Sequence, residues 1–274
     1  MVATQTVDDL IFDVGFHKGE DTDFYLKKGF RVVAVEANPV LYTTGIGRFK
    51  KEIDSGRLTL LNVAIADTDG PIRFFVNPRV TEWGTISPDF VARNRQLGKD
   101  SEYIIVQGVR FDQILRQFGV PYYLKIDIEG ADVLCLEGLL RLGARPIHLS
   151  LESNKTSWAA LLAEFAQLRA LGYGRFKVVS QEGVQYQQCP NPAREGRHVQ
   201  HRFLRGASGA FGEEAPGKWL SERQSIGRYR RIFLQYRLFG DAGWFTERTL
   251  RRTLLWRLIR YLPKSDWYDT HATR

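Results

Sequence analysis

Short apolar runs alternate with amphipathic, helix-like patterns along most of this chain. The apolar runs cover residues 10–14, 31–36, 58–63, 122–127, 146–151 and 175–179. Helical patterns occupy 19–28, 131–142 and 157–171, and Pro39 opens a further helix at a position where its missing N–H costs nothing. This alternation predicts βαβ units, and therefore a mostly parallel sheet with helices packed against it.

Three stretches interrupt the alternation. Residues 71–77 follow an Asp-Gly turn and predict an extra strand, and the polar residues 81–100 predict an excursion over the sheet. Residues 188–218 are rich in Gly, Pro, Arg and Glu without periodicity, which predicts a long functional loop or lid. A seventh strand of the sheet is expected in either 184–188 or 198–204, and the pattern does not choose between them.

The last predicted helix, residues 247–262, is basic and amphipathic. Its apolar residues recur at helical spacing: Leu250, Leu254, Leu255, Leu258, Ile259 and Leu262. We expect this apolar face to dock on the protein's own core or on a second subunit. Binding to a membrane surface is the alternative, because arginines beside Trp256 are typical of interfacial helices.

Composition narrows the class of protein. Of 274 residues, 43% are hydrophobic and 26% are charged, which excludes a disordered or collagen-like chain. Cys135 and Cys189 are too few for a disulfide framework and lack metal-ligand spacing, so we predict a reducing compartment and no structural zinc. Since no apolar run is long enough to span a membrane and no signal peptide opens the chain, we expect a cytoplasmic protein.

The net charge of +8 is concentrated near the C-terminus. Residues 186–274 hold 17 Lys and Arg against 8 Asp and Glu, whereas residues 1–185 hold 22 against 23. All the C-terminal cations except Lys218 and Lys264 are arginines, whose planar guanidinium suits phosphate, sulfate or carboxylate groups. The excess favours an acidic partner, and it equally fits a solvated, salt-bridged surface.

The first strand and its turn carry the sharpest chemical signal. Asp13 lies at the strand end, Gly15 and Gly19 precede a helix, and Glu36 ends the next strand. A glycine turn lets the backbone approach a ligand closely, and a carboxylate at the position of Glu36 can accept hydrogen bonds from the hydroxyls of an adenosine ribose. This spacing therefore predicts a nucleotide-like ligand, with an ordinary strand-to-helix turn as the structural alternative.

The charge of Asp13 and the bulky residues between Gly15 and Gly19 narrow the identity of that ligand. The turn carries Phe16, His17 and Lys18 between its glycines, so it lacks the G-x-G-x-x-G pattern that lets a backbone approach a pyrophosphate. Asp13 would repel a diphosphate and attract a cation. S-adenosylmethionine carries an ammonium and a sulfonium, so we predict it as the cofactor.

Polar residues also follow the fourth strand. Lys125, Asp127 and Glu129 emerge from an otherwise apolar segment at a sheet edge where open α/β sheets bind ligands. We predict Asp127 as a general base or as an acceptor for a substrate hydroxyl, with Lys125 and Glu129 setting its charge environment. The structural alternative is a Lys–Asp pair that fixes the strand end.

A third group ends the fifth strand. Alternation places His148, Ser150 and Glu152 on one side, and we expect Glu152 to support catalysis and His148 to line the substrate pocket together with Trp83. Carboxylates at positions 127, 129 and 152 could hold a divalent cation, but no spacing certifies this, so we predict no metal.

Together these residues resemble the FkbM family of S-adenosylmethionine-dependent methyltransferases. The similarity lies in the turn from Asp13 to Gly19, the 35–39 stretch and above all the Lys-Ile-Asp-Ile-Glu-Gly-Ala-Asp segment at 125–132. It implies a seven-stranded class I methyltransferase fold and O-methylation of a hydroxyl, often on a sugar or a polyketide-type natural product. The candidate cofactor-binding residues are Asp13, Gly15, His17, Gly19, Glu36, Ala37, Asn38 and Ala64.

Our prediction is therefore a methyltransferase domain over residues 1–205 and a basic extension over 206–274 that packs on or covers it. The predicted reaction is O-methyl transfer to a small or glycan acceptor. One alternative is an RNA-modifying or nucleic-acid-binding methyltransferase that uses the Arg-rich C-terminal third. A less favoured alternative is an NAD-dependent oxidoreductase on the same sheet.

Overall fold

The computed structural model describes residues 5–77, 84–96, 101–154, 157–239 and 267–274. Within these ranges the chain forms ten strands: β1 (Thr6–Val14), β2 (Arg31–Val35), β3 (Leu58–Leu61), β4 (Ala64–Ile65), β5 (Gly70–Val76), β6 (Glu102–Val109), β7 (Val120–Ile126), β8 (His148–Glu152), β9 (Arg175–Ser180) and β10 (Tyr268–Thr273).

Eight α-helices connect or flank the described strands. They are α1 (Glu20–Lys27), α2 (Pro39–Arg48), α3 (Lys50–Asp54), α4 (Pro88–Gln96), α5 (Phe111–Phe118), α6 (Asp132–Leu142), α7 (Trp158–Ala170) and α8 (Glu222–Phe239). Pro39 is the first residue of α2, as predicted, and the Asn38 side chain caps that helix by accepting from the Val40 N–H at 2.9 Å.

Seven of the described strands form one sheet in the order β3-β2-β1-β7-β8-β10-β9. All neighbours are parallel except β10, which is antiparallel to both β8 and β9. The prediction of a seven-stranded, mostly parallel α/β sheet is thus confirmed. The strand order reverses between β1 and β7, and ligands bind at such a reversal in open α/β sheets.

Each face of the sheet buries its own apolar core. On one face, α5, α6, α7 and α8 pack against residues such as Phe12, Leu124 and Leu149. On the other face, α1 packs against Ile11 and Tyr123 together with residues from the segment 203–211. Because both faces are covered, the strands are apolar almost throughout, and polar side chains on them are informative.

The seventh strand lies in neither of the two predicted segments. Residues 184–186 form a 3₁₀ turn, residues 198–204 are irregular, and β10 at the C-terminus completes the sheet. β10 has a polar sequence, Tyr-Asp-Thr-His-Ala-Thr, although most of it is buried. A pattern search for apolar runs misses such a strand because its stability comes from its two neighbours.

The sequence pattern predicts no helix or strand over residues 101–118, whereas the structure has β6 and α5 there. β6 pairs with β4 and β5 in a small three-stranded sheet, so the extra strand predicted at 71–77 is confirmed as β5. Part of the expected excursion, residues 88–96, is the helix α4.

The segment 181–221 packs on the face of the sheet that carries α1. Phe211 is fully buried and stacks on Tyr123, with ring centroids 4.5 Å apart. Lys28 of α1 pairs with Glu214 at 2.8 Å, and both side chains are completely buried. The predicted loop is therefore irregular in backbone but closely packed.

None of the helices in the described ranges is long and apolar enough to cross a bilayer. The predicted basic helix 247–262 lies outside the described residues, as do Trp83 and the two ends of the predicted excursion, residues 81–83 and 97–100. The division at residue 205 and the cytoplasmic location stay predictions, although β10, which follows that division, is an internal strand of the sheet.

Candidate active site

A cavity of about 850 Å³ opens at the carboxyl ends of the central parallel strands. Its walls come from the turns that follow β1, β2, β3, β7 and β8, and from the segments 181–185 and 205–208. Thirteen of the fourteen sequence-predicted site residues lie in the described ranges, and ten of them line this cavity: Gly15, His17, Glu36, Ala37, Asn38, Ala64, Lys125, Asp127, Glu129 and Glu152.

Gly15 is the point at which backbone comes closest to backbone in the cavity wall. It has a φ of 98°, and a Cβ at this position would lie 1.9 Å from the carbonyl oxygen of Asp127. The N–H groups of Gly15 and Phe16 both donate to the carbonyl of Val35, at 3.1 and 3.0 Å. The turn after β1 is therefore clamped between β2 and β7, and only glycine fits there.

Glu36 presents its carboxylate at the end of β2. Its two oxygens accept from the backbone N–H groups of His17 and Asn38, each at 2.8 Å. Burial raises the pKa of Glu36 to about 7, although these two hydrogen bonds favour the charged form. Each oxygen retains acceptor capacity, so the carboxylate can also accept from two neighbouring hydroxyls of a ribose.

The cavity thus fits an adenosyl cofactor on this side. Ala37 and Asn38 continue the wall from Glu36, and Val63, Ala64 and Ile65 supply apolar surface for a planar base. His17 adopts a φ of 52°, which turns its N–H towards Glu36. The structure therefore brings most of the predicted cofactor-binding residues together in the wall of one cavity. Two of them lie elsewhere.

Asp13 and Gly19 do not face the cavity, contrary to expectation. Asp13 is fully buried beneath the turn, where Thr22 donates to it at 2.6 Å and Lys125 lies 3.2 Å away. Gly19 is the residue before α1, and a Cβ there would lie 2.5 Å from the ring of Phe49. Their roles in this structure are to hold the turn and to allow close packing.

Lys125 connects the parts of the site. Its ammonium donates to the carbonyl of Gly15 at 2.8 Å and lies 3.2, 3.6 and 3.7 Å from carboxylate oxygens of Asp13, Asp21 and Asp127. Burial alone would lower the pKa of Lys125, but these carboxylates raise it well above its usual range. Lys125 therefore stays protonated and fixes the turn, α1 and the end of β7 in one arrangement.

Asp127 lies on the cavity wall directly after β7. Its N–H donates to the carbonyl of Val14 at 2.9 Å, which fixes its backbone, while its side chain is 41% exposed. Glu129 follows with a φ of 48°, and its carbonyl accepts from Thr85 at 2.7 Å. The predicted base is therefore both held in place and open to a ligand.

Asp269 is a site residue that sequence reasoning missed. It lies on β10 directly opposite Glu152 of β8, lines the cavity, and accepts from Gln181 at 2.6 Å. Burial, followed by the neighbouring charges of Asp127 and Glu152, raises the pKa of Asp269 well above its usual range. Its place in the site depends on β10 joining the sheet beside β8, which the pattern of apolar runs does not indicate.

His148 lies outside the cavity, whereas it was expected to line the substrate pocket. It is buried at the opposite end of β8, stacks on Trp219 with ring centroids 6.1 Å apart, and lies 3.6 Å from Glu195. Burial lowers the pKa of His148 to about 4. Trp83, the other predicted substrate residue, is outside the described residues.

The segment 205–208 closes the cavity beside α1. The N–H of Ser208 donates to both carboxylate oxygens of Asp21, at 2.9 and 3.1 Å. Burial raises the pKa of Asp21 to about 6, and Lys125 opposes that shift. Asp21 thus links the segment 205–208, which is remote in sequence, to the Lys125 ammonium. The same ammonium holds the Gly15 turn.

Comparison with known families gives one match. The family described as Methyltransferase FkbM domain matches residues 13–174, which cover β1 to the residues just before β9. No curated protein sequence matches the chain.

Comparison with solved structures finds similarity to methyltransferases. A precorrin-6Y C5,15-methyltransferase from Geobacter metallireducens GS-15 is 14% identical, with a TM-score of 0.38, over 64% of this chain and 68% of that chain. A SAM-dependent methyltransferase from Geobacter sulfurreducens in complex with S-adenosyl-L-homocysteine is 12% identical, with a TM-score of 0.36, over 98% of this chain and 86% of that chain. Neither assigns a substrate to this chain.

Proposed function

Because this chain belongs to the FkbM methyltransferase family, we propose that it transfers a methyl group to a hydroxyl of a sugar, glycan or natural-product acceptor. Membership confirms the resemblance inferred from the 125–132 segment and the class I methyltransferase fold. It also argues against the NAD-dependent alternative. Family membership shows a methyltransferase, and our proposal is that the group which receives the methyl is a hydroxyl.

S-adenosylmethionine is the cofactor of this family, and when bound it supplies a methyl group on a positively charged sulfur. Glu36 would accept from the ribose hydroxyls, and the Gly15 turn would allow the ligand to lie against backbone. The apolar residues after β3 would contact the base. These contacts fix the ligand relative to the end of β7, and such fixation is the main source of rate enhancement in a direct transfer.

Asp127 is the residue that supports transfer to a hydroxyl. It is accessible, it faces the cavity one residue after β7, and its backbone oxygen lies against Gly15. In the proposed step the Asp127 carboxylate would accept the proton of the acceptor hydroxyl, whose oxygen gains the methyl group as the methyl–sulfur bond of S-adenosylmethionine breaks and S-adenosylhomocysteine leaves. Lys125, 3.7 Å away, would keep the carboxylate oriented during this transfer.

Two further carboxylates support a polyhydroxylated acceptor. Glu152 and Asp269 face the same cavity from adjacent strands, and Trp267 lines it beside them. Carboxylates can accept hydrogen bonds from several hydroxyls, and an aromatic face suits the apolar side of a sugar ring. An acidic acceptor, which the arginine-rich C-terminal third favours, and a nucleic acid both stay predictions.

The test is to incubate the purified protein with ¹³C-methyl S-adenosylmethionine and a panel of neutral sugars, amino sugars, uronic acids and small RNA. Products are detected by mass spectrometry, and NMR of the labelled carbon separates methyl on oxygen from methyl on nitrogen. We expect an O-methyl sugar. An N-methyl product, or modification of RNA alone, would replace the proposed acceptor.

Within this proposal, Asp127→Asn should lower turnover about 10²- to 10⁴-fold, the usual contribution of a positioned base. The substitution removes the proton acceptor but keeps the shape and the backbone contact with Val14. Affinity for S-adenosylhomocysteine, measured by calorimetry, should be unchanged. Retained turnover would remove Asp127 from the role of base while leaving the cofactor site intact.

A further inference from the structure

The carboxylate of the cofactor's amino-acid tail has no partner among the predicted site residues. S-adenosylmethionine carries a carboxylate beside its ammonium, and eight acidic residues line the cavity and repel it. They are Glu20, Asp21, Glu36, Asp127, Glu129, Glu152, Glu182 and Asp269. A free carboxylate is costly to enclose among like charges unless a cation or several N–H groups meet it.

Most basic groups of the described cavity wall are already engaged. Lys125 is 5% exposed and is surrounded by three carboxylates and the Gly15 carbonyl. The ring of His17 lies 3.8 Å from Glu20. The N-terminus of α1 is also unsuited to an anion, because Glu20, Asp21 and Asp23 occupy its first turn.

Arg205 differs from these groups. It lines the cavity and its side chain is exposed. No described carboxylate lies within salt-bridge distance of its guanidinium, in contrast to Lys125. An arginine has donors in a planar fork that matches a carboxylate in a bidentate manner.

The position of Arg205 along the cavity fits the far end of the cofactor. The N–H of Gly15 donates to the carbonyl of Val35, the residue before Glu36, and the carbonyl of Gly15 accepts from Lys125. Beyond Lys125 lies Asp21, and Asp21 holds the N–H of Ser208. The segment 205–208 is therefore on the side of the Gly15 turn opposite to the ribose-binding carboxylate.

The segment is also held in a defined conformation. The N–H of Ala207 donates to Leu204 at 3.1 Å, which forms a turn, and Ala207 and Ser208 are buried. The carbonyl of Ser208 accepts from Gln181 at 3.5 Å. Arg205 thus extends from a backbone whose position is fixed, so its side chain loses less freedom on binding than one on a loose loop.

We propose that Arg205 binds the carboxylate of the cofactor's amino-acid tail. The inference rests on the proposed function only in so far as the cavity takes an adenosyl cofactor. It places a cofactor contact in the C-terminal third, outside the 13–174 family match. The Asp21 carboxylate then remains for the ammonium of that tail.

The test compares two ligands by isothermal titration calorimetry. One is S-adenosylhomocysteine, and the other is S-adenosyl-3-thiopropylamine, which keeps the amine and lacks the carboxylate. Arg205→Ala should weaken binding of S-adenosylhomocysteine about tenfold, the loss of one charge-assisted pair at an exposed position. Binding of the amine analogue should stay at the wild-type value, and Arg205→Lys should recover part of the loss.

The matched control is Arg202→Ala, because Arg202 is an exposed arginine of the same segment that does not line the cavity. It should bind both ligands as the wild type does. The inference is overturned if Arg205→Ala binds S-adenosylhomocysteine normally, or if it weakens both ligands equally. If the wild type itself binds neither ligand, the proposed function fails, and this is distinguishable from failure of the Arg205 contact alone.

Discussion

The ribose side of the cavity is built from two consecutive turns, whereas the opposite side is assembled from segments far apart in the chain. On the ribose side, the N–H of Gly15 donates to the Val35 carbonyl, and the N–H groups of His17 and Asn38 donate to the Glu36 carboxylate. On the opposite side, Asp21 meets Ser208 and Asp127 faces Asp269 across β8. The first side depends on local backbone geometry, and the second depends on how the C-terminal segments pack.

Lys125 is the residue that joins the two sides. Lys125→Met should lower the free energy of unfolding by about 3–5 kcal/mol, because it leaves Asp13 and Asp21 buried without their cation. Urea denaturation followed by circular dichroism measures this change. A loss of that size would show that the two sides are coupled through one ammonium.

The matched control for that prediction is Lys50→Met. Lys50 pairs with Asp54 at 2.7 Å, but both side chains are largely exposed, so the loss should be below about 1 kcal/mol. If the two variants lost similar amounts of stability, the buried network would not be what holds the site together.

Gly15→Ala should disturb the ribose side. The new Cβ would meet the Asp127 carbonyl, and a positive φ disfavours any side chain, so we expect a loss of about 2–4 kcal/mol. Binding of S-adenosylhomocysteine should also disappear, because relief of the clash moves the turn away from β7. Unfolding and calorimetry together measure both effects.

Gly56→Ala separates backbone strain from the clash. Gly56 has a φ of 70° and nothing near its Cβ position, so alanine should cost about 1–2 kcal/mol and leave cofactor affinity unchanged. If Gly15→Ala and Gly56→Ala lost equal amounts of stability, the close approach of the Gly15 turn to β7 would not contribute to the cost of the Gly15 substitution.

The alternation of apolar runs predicted β1, β2, β3, β7, β8 and β9 correctly, because each is a buried strand whose side chains meet the core on both faces. It failed for β10, whose Asp269, Thr270, His271 and Thr273 are buried polar residues. Their polarity is tolerated because β8 and β9 supply the backbone partners on either side. Neither the burial of these polar residues nor their pairing with β8 and β9 can be inferred from the local sequence of β10.

The site residues divide in the same way, into those positioned by local turns and those positioned by segments far along the chain. Glu36 was predicted from its spacing to Gly19 alone, since a strand, a turn and a helix fix the distance between neighbouring strand ends. Asp13 was placed wrongly because its neighbour in space, Lys125, is supplied by a strand far along the chain. Arg205 and Asp269 were not among the predicted site residues, because the packing of the C-terminal third is what brings them to the cavity.

The central claim is that Glu36 accepts from the ribose of an adenosyl cofactor, and one binding experiment tests it most directly. Wild type and Glu36→Ala are each titrated with S-adenosylhomocysteine and with its 2′-deoxy analogue. We predict that removing the hydroxyl weakens binding to the wild type about tenfold, the value of one hydrogen bond to a charged group. In Glu36→Ala the two ligands should bind equally, and because the ratio is taken within each protein, a change in stability does not affect it. An equal loss in both proteins, or a wild type that binds NAD and not S-adenosylhomocysteine, would contradict the account.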